Sequence, residues 1–245
     1  MVYDGYVQPD RCAQVVRQHP ATALGVKVRL YRGVGGDADL RDLLGLALQA
    51  AERCESPLMV HITGGDVPLA DLLPRLRRDD IVTHCFHNTP PAMILDGAGQ
   101  ILPEVLEARD RGVVFDIGHG LGSFSFDVCR MALEAGFPPD TISSDIHTLN
   151  IDGPVYDLPT TLSKFLNLGM PLEEVIRRAT IEPARVIGRA DELGRLGIGA
   201  AGDVALLEVV EGDVVLQDSD DQILNGNRRL VCRATLRNGK VWWKA

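Results

Sequence analysis

The 245-residue chain carries 34 acidic and 25 basic side chains, a formal charge of −9 at pH 7. That balance argues against a nucleic-acid or anionic-membrane partner, which needs clustered cations. No apolar run reaches the ~18–20 residues of a membrane span, no signal-peptide pattern opens the chain, and five scattered cysteines without a Cys-x-x-Cys pair suit reduced thiols, so a cytoplasmic protein is expected.

In chain order, PDRCAQVVRQ (9–18) reads as a helix, and TALGVKVRL (22–30) as a strand whose apolar residues Leu24, Val26, Val28 and Leu30 alternate with Gly25, Lys27 and Arg29. A strand so rich in β-branched residues is expected to be buried on both faces, where an unpaired ammonium at Lys27 is costly. A helix follows at 39–54, with an acidic start and apolar spacing of three and four. Strands are then expected at 57–62, 80–85, 112–117 and 140–146, with helices at 68–78, 101–110, 123–135 and 171–179. Alternation of this period implies parallel strands with helices packed outside. After about residue 188 the pattern turns to short β-rich runs broken by glycine, with Asn238-Gly239 as a hairpin turn. The expected division is therefore an α/β barrel domain over 1–187 and a small β-domain over 188–245.

The reactive residues share a position. Lys27, His61, His84 and Asp145 each lie toward the end of a different expected strand, and His119 lies just after one. In a parallel α/β barrel those ends form the active-site mouth. Neutral imidazole suits zinc and similar divalent ions. A lone histidine in such a place is more often a core residue bonded to backbone, but two in equivalent positions, flanked by a strand-end lysine and aspartate, favour ligands. His87 reads instead as a solvated loop residue. A desolvated lysine has a free amine that can add carbon dioxide to become a carbamate. Lys27 thus has an alternative to an ion pair with Asp145 or Asp116. His119 lies in GHGLGSFSF, where free N–H groups at a helix start could hold a substrate carboxylate or oxyanion.

Taken together, GVKVRL, PLMVHITG, DIVTHCFHN, RGVVFDIGHGLGSFSFDV, TISSDIH, TIEPARVIG and AGDVALL resemble the amidohydrolase superfamily, in its dihydroorotase-like amidohydrolase/deacetylase branch. The resemblance implies a metal-dependent hydrolase (β/α)8 TIM barrel joined to a small β-sandwich. It implies a divalent-metal centre, usually zinc, with Lys27 as a carboxylated bridging ligand, His61 and His84 as histidine ligands, and Asp145 as both ligand and catalytic proton shuttle. From the residues themselves, His119, Gly120 and Arg29 are expected to bind substrate, the alternative for His119 being a loop histidine that caps local structure. The implied reaction is hydrolysis of a C–N amide or an ester bond in a small N-acyl or cyclic amide substrate.

The family pattern opens with His-x-His on the first strand, and no His-x-His occurs in these 245 residues. The resemblance therefore covers strands four to eight and the C-terminal part of the β-sandwich. A barrel so interrupted has open edges, so completion by preceding strands, by a partner chain or in a homo-oligomer is expected. The ligands present suit one metal ion; two belong to the complete pattern. The alternative is a non-catalytic, partner-completed protein that binds a small molecule.

Overall fold

The structure is a computed structural model describing residues 7–31 and 39–245. It divides into two compact units, Met1–Asp116 with Met131–Phe137, and Ile117–Arg130 with Pro138–Ala245.

In the first unit, α1 (Pro9–Gln18) starts on a proline whose missing N–H costs nothing there. Helix α2 (Leu40–Arg53) is capped by the Asp39 side chain, which accepts from the Arg41 N–H. It turns Leu44, Ala47, Ala50 and Ala51 inward. Strands β1 (Val26–Arg29), β2 (Leu58–His61), β3 (Ile81–Thr83) and β4 (Val114–Asp116) form one parallel sheet in the order β1-β2-β3-β4. Leu58, Val60, Val82 and Phe115 are completely buried, as expected of parallel strands covered on both faces. The expected helix 68–78 is cut to α3 (Leu69–Leu72) and a single 3-10 turn, Leu73–Arg75, because Pro74 has no N–H to continue the ladder. Helix α4 spans Pro103–Asp110.

A buried carboxylate fixes the lower end of this sheet. Asp80 accepts from the Leu58 N–H at 2.8 Å, from the Arg77 N–H at 2.8 Å, and from the Arg77 guanidinium at 3.0 and 2.8 Å. It thereby ties the start of β2 to the residue preceding β3.

Lys27 departs from expectation. It is exposed, as is Arg29, while Val26 is buried. Among the described residues β1 has a single neighbouring strand, β2, and burial on both faces fails there.

Helix α5 spans Phe126–Glu134. Its first N–H, that of Phe126, is capped at 2.8 Å by the buried Asp218, a residue 92 positions later.

The second unit contains α6 (Leu158–Asn167), α7 (Leu172–Ala179), α8 (Ile181–Val186) and an antiparallel sheet of β5 (Val204–Gln217), β6 (Ile223–Arg237) and β7 (Lys240–Lys244). The Asn238-Gly239 turn has φ of 50° and 72°, the left-handed pair that a tight hairpin requires. α6 is secured to β6 through side chains: Ser163 Oγ accepts from the Leu230 N–H at 2.8 Å, and Asn167 Nδ2 donates to the Arg228 carbonyl at 2.7 Å.

The expected strand 140–146 is not a regular strand. Its residues run extended beside 117–120, with Ile117 N–H donating to Thr141 O, His119 N–H to Ser143 O and Gly120 N–H to Ser144 O. At Asp145 φ turns to 45°, which ends any β ladder. Among the described residues no helix is long and apolar enough to cross a membrane, and all five cysteines are free.

Candidate active site

Parallel register sets residues in rows across the first unit's sheet. Arg29 lies opposite His61, His61 opposite Thr83, and Thr83 opposite Asp116. One step down, Lys27 lies opposite Met59 and Met59 opposite Ile81. Because strand side chains alternate, Lys27, Arg29 and His61 share a face. In the same row the Thr83 hydroxyl donates to Asp116 Oδ2 at 2.7 Å, a buried pair at the carboxyl ends of β3 and β4 that strand patterning alone did not single out.

His84 follows β3 and adopts φ 71°, a left-handed conformation uncommon outside glycine. Its ring meets that of His61 edge-on, with centroids 4.2 Å apart and planes at 76°. Burial first, then His84, Arg29 and Lys27, push the pKa of His61 down to about 3; the Thr63 carbonyl opposes them weakly. His61 is therefore neutral at any physiological pH. Its Nε2 lies 3.1 Å from the Thr63 carbonyl, which assigns the proton to Nε2 and the lone pair to Nδ1. A metal-ligating histidine commonly has this arrangement, one nitrogen donating to a carbonyl and the other presenting a lone pair. Among the described residues no three His, Cys, Asp or Glu side chains are grouped to hold a metal ion. The donors present in this unit are thus the neutral His61 ring, the His84 ring against it, and a lysine on the His61 face. That set fits a divalent ion once the lysine carries a carboxylate.

His87 is not solvated. It is 1% exposed; its Nε2 meets the Ala92 carbonyl at 2.9 Å and its Nδ1 accepts from the Thr89 N–H at 3.0 Å. It organises the loop after β3, and both of its nitrogens are committed to that task.

In the second unit, Gly118, His119 and Gly120 run against the segment that carries Asp145. Gly118 N–H donates to Ser143 Oγ at 3.1 Å, and the next two N–H groups donate to Ser143 O and Ser144 O, each at 3.0 Å. Asn150 Nδ2 reaches the Asp145 carbonyl at 3.0 Å. Gly120 has φ +60°, and a Cβ there would stand 3.1 Å from Asp145 Oδ2, so the glycine both permits the turn and leaves room for the carboxylate. His119 is wholly buried, with Nδ1 bonded to the Gly120 carbonyl at 2.9 Å and Nε2 to Lys164 Nζ at 2.6 Å. Both ring nitrogens are engaged by the protein. The only cation in LPTTLSKFLN was the available signal for Lys164, but helix 158–167 was not among the expected elements.

Burial pushes the pKa of His87 down to about 4, and burial with the nearby Lys164 charge pushes that of His119 down to about 3. In the unfolded chain both would titrate near 6.5. Between those values the unfolded state binds protons that the folded state refuses, so the stability these two histidines contribute is complete above pH 6.5 and is lost as pH drops toward 4. Urea midpoints measured from pH 7.5 to 4 should decline steeply below 6.5, by several kcal/mol in total. The His87→Gln variant should show a shallower decline.

The amidohydrolase family model matches residues 41–241. A deacetylase of Enterococcus faecalis (strain ATCC 700802 / V583) is 34% identical over 237 residues, covering 96% of this chain and 64% of its own length. The chain belongs to the amidohydrolase family. A deacetylase of Agrobacterium fabrum (strain C58 / ATCC 33970) is 32% identical over 214 residues, 87% of this chain and 52% of that protein. Among solved structures, an adenine deaminase superposes with a TM-score of 0.90 at 33% identity and a dihydroorotase with 0.85 at 30%. Each is covered over 97% and 96% of this chain, and 64% and 60% of its own, respectively. The chain thus spans somewhat more than half the length of these relatives, and its fold is that of the amidohydrolase barrel proteins over the part it covers.

Proposed function

We propose that this amidohydrolase chain serves divalent-metal-dependent hydrolysis of an amide or ester bond in a small acyl substrate, a deacetylase-type reaction. The observation that carries this reading is the contact of two imidazoles, His61 and His84, at the carboxyl ends of adjacent parallel strands, with His61 held neutral and its Nδ1 lone pair uncommitted to the backbone. His61 and His84 would ligate the ion. Lys27, once its amine has added carbon dioxide and released a proton, would supply the carboxylate ligand.

When bound, the ion lowers the pKa of water and polarises a carbonyl. In the second unit, Asp145 would be the group that takes a proton from water and returns it to the leaving nitrogen or oxygen. Arg29, in the His61 row, is the proposed partner of a substrate carboxylate, and the Gly120 backbone holds the turn beside Asp145. The deacetylase names of the relatives agree with an acyl substrate, and zinc is the proposed ion.

The test uses p-nitrophenyl acetate and a panel of N-acetyl amino acids. Turnover should vanish after dialysis against a chelator and return with zinc and bicarbonate together, more fully than with zinc alone. Turnover indifferent to chelation overturns the reading.

A further inference from the structure

Outside the ligand residues, the second unit buries a lysine that the proposed reaction does not use. Lys164 is 0% exposed, on α6, and its Nζ makes two hydrogen bonds, to His119 Nε2 at 2.6 Å and to the Pro154 carbonyl at 2.8 Å. Burying an amine in this way is costly unless the site holds it for a reason. Burial pushes its pKa down to about 7, and Asp218 alone opposes that shift. Asp218 is itself wholly buried, with its carboxylate accepting from the N–H groups of Phe126, Asp220 and Gln222.

His119 is gripped on every side. Nδ1 donates to the Gly120 carbonyl, its ring tilts onto Phe124 with centroids 4.7 Å apart, and its own N–H donates to Ser143 O. Through Gly120 the same loop donates to Ser144 O, the residue before Asp145. Asp145 stands at φ 45°, in the left-handed region. Phe124 also packs on Phe165, the neighbour of Lys164, at 5.5 Å. The chain of contacts therefore runs from Lys164 to His119, from His119 and Gly120 to Ser143 and Ser144, and so to the backbone of Asp145.

We propose that Lys164 is a positioning residue: by bonding His119 it locks the 118–120 turn onto the 143–145 segment and so fixes the direction of the Asp145 carboxylate. Its catalytic consequence rests on the role of Asp145 proposed above; the brace itself does not. Lysine suits this task because its ammonium or amine donates to a ring nitrogen in either protonation state. A methionine would fill the same space without donating.

The experiment compares the whole chain with its Lys164→Met variant. Amide hydrogen exchange at His119 and Gly120 should be at least tenfold faster in the variant, while amides within β5 and β6 remain protected. With p-nitrophenyl acetate, kcat should fall about tenfold with KM within twofold, a split that general loosening of the fold does not produce. Exchange unchanged at His119 and Gly120 overturns the inference whatever turnover does. Full turnover in Asp145→Asn overturns the role given to Asp145, and the exchange result alone then decides the brace. Should Lys164→Met fail to fold, the ring nitrogens of His119 in the unaltered protein decide it. A proton on Nδ1 with Nε2 accepting is the expected tautomer, and a proton on Nε2 overturns the inference.

Discussion

Replacing His84 with asparagine should leave the protein folded and unable to retain a divalent ion, with turnover of an acyl ester lower by ~10³-fold or more. The size follows from losing metal-derived stabilisation worth several kcal/mol of the barrier. Asparagine is the informative substitution because His84 sits at φ 71°. Alanine there would add backbone strain to the loss of the imidazole, whereas asparagine accepts the left-handed conformation more readily. His61→Ala should act in the same direction, since it removes the ring that His84 touches and the Nδ1 lone pair. Metal per chain by plasma mass spectrometry, with far-ultraviolet circular dichroism as the control for folding, reads both variants. Wild-type metal content in His84→Asn would falsify the ligand assignment.

The largest stability effect is expected away from that pair, at Asp80. Its two oxygens accept from the buried N–H of Leu58, from the N–H of Arg77 and from the Arg77 guanidinium. Asp80→Ala orphans two backbone donors, one of them in the sheet core, at about 1–3 kcal/mol each. It also strips a charge partner from Arg77, whose side chain is 34% exposed and can turn to water, so that term is smaller. The sum is about 2–6 kcal/mol, a large part of the stability of an ordinary domain. Asp80→Asn should recover only part of it: its oxygen keeps one pair of donors, while its amide nitrogen faces the other pair and cannot accept. Urea denaturation should show a lower midpoint with an unchanged slope. A midpoint within 1 kcal/mol of wild type would mean that water replaces the carboxylate.

The parallel α/β pattern and the C-terminal β-rich region were legible because each rests on local periodicity and turn chemistry. Asn238-Gly239 takes the left-handed pair its composition demands, and strands 57–62 and 112–117 hold the shorter cores Leu58–His61 and Val114–Asp116. Segment 140–146 departs because alternation cannot register a left-handed φ at Asp145, just past the residues that bond the 118–120 turn. The exposure of Lys27 was hidden for a related reason: burial on both faces depends on where a strand lies in its sheet, and among the described residues β1 has β2 as its single neighbour. For the candidate site, His61 and His84 stood out by position along the chain. Their ring contact and the neutral state of His61 are tertiary facts. Lys164 was missed because a single lysine in an otherwise neutral helix looks like a solvated residue until the fold encloses it.

The cap that Asp218 places on the first N–H of helix Phe126–Glu134 also has a meaning in time. A ribosome adding about 5–20 residues per second needs roughly 5–18 s to travel the 92 positions from Phe126 to Asp218. Throughout that interval the nascent helix start has no carboxylate partner, and a helix of this length is marginal by itself in water. Its amide donors are open to water and to whatever holds emerging chains, until the β5–β6 turn arrives and closes them.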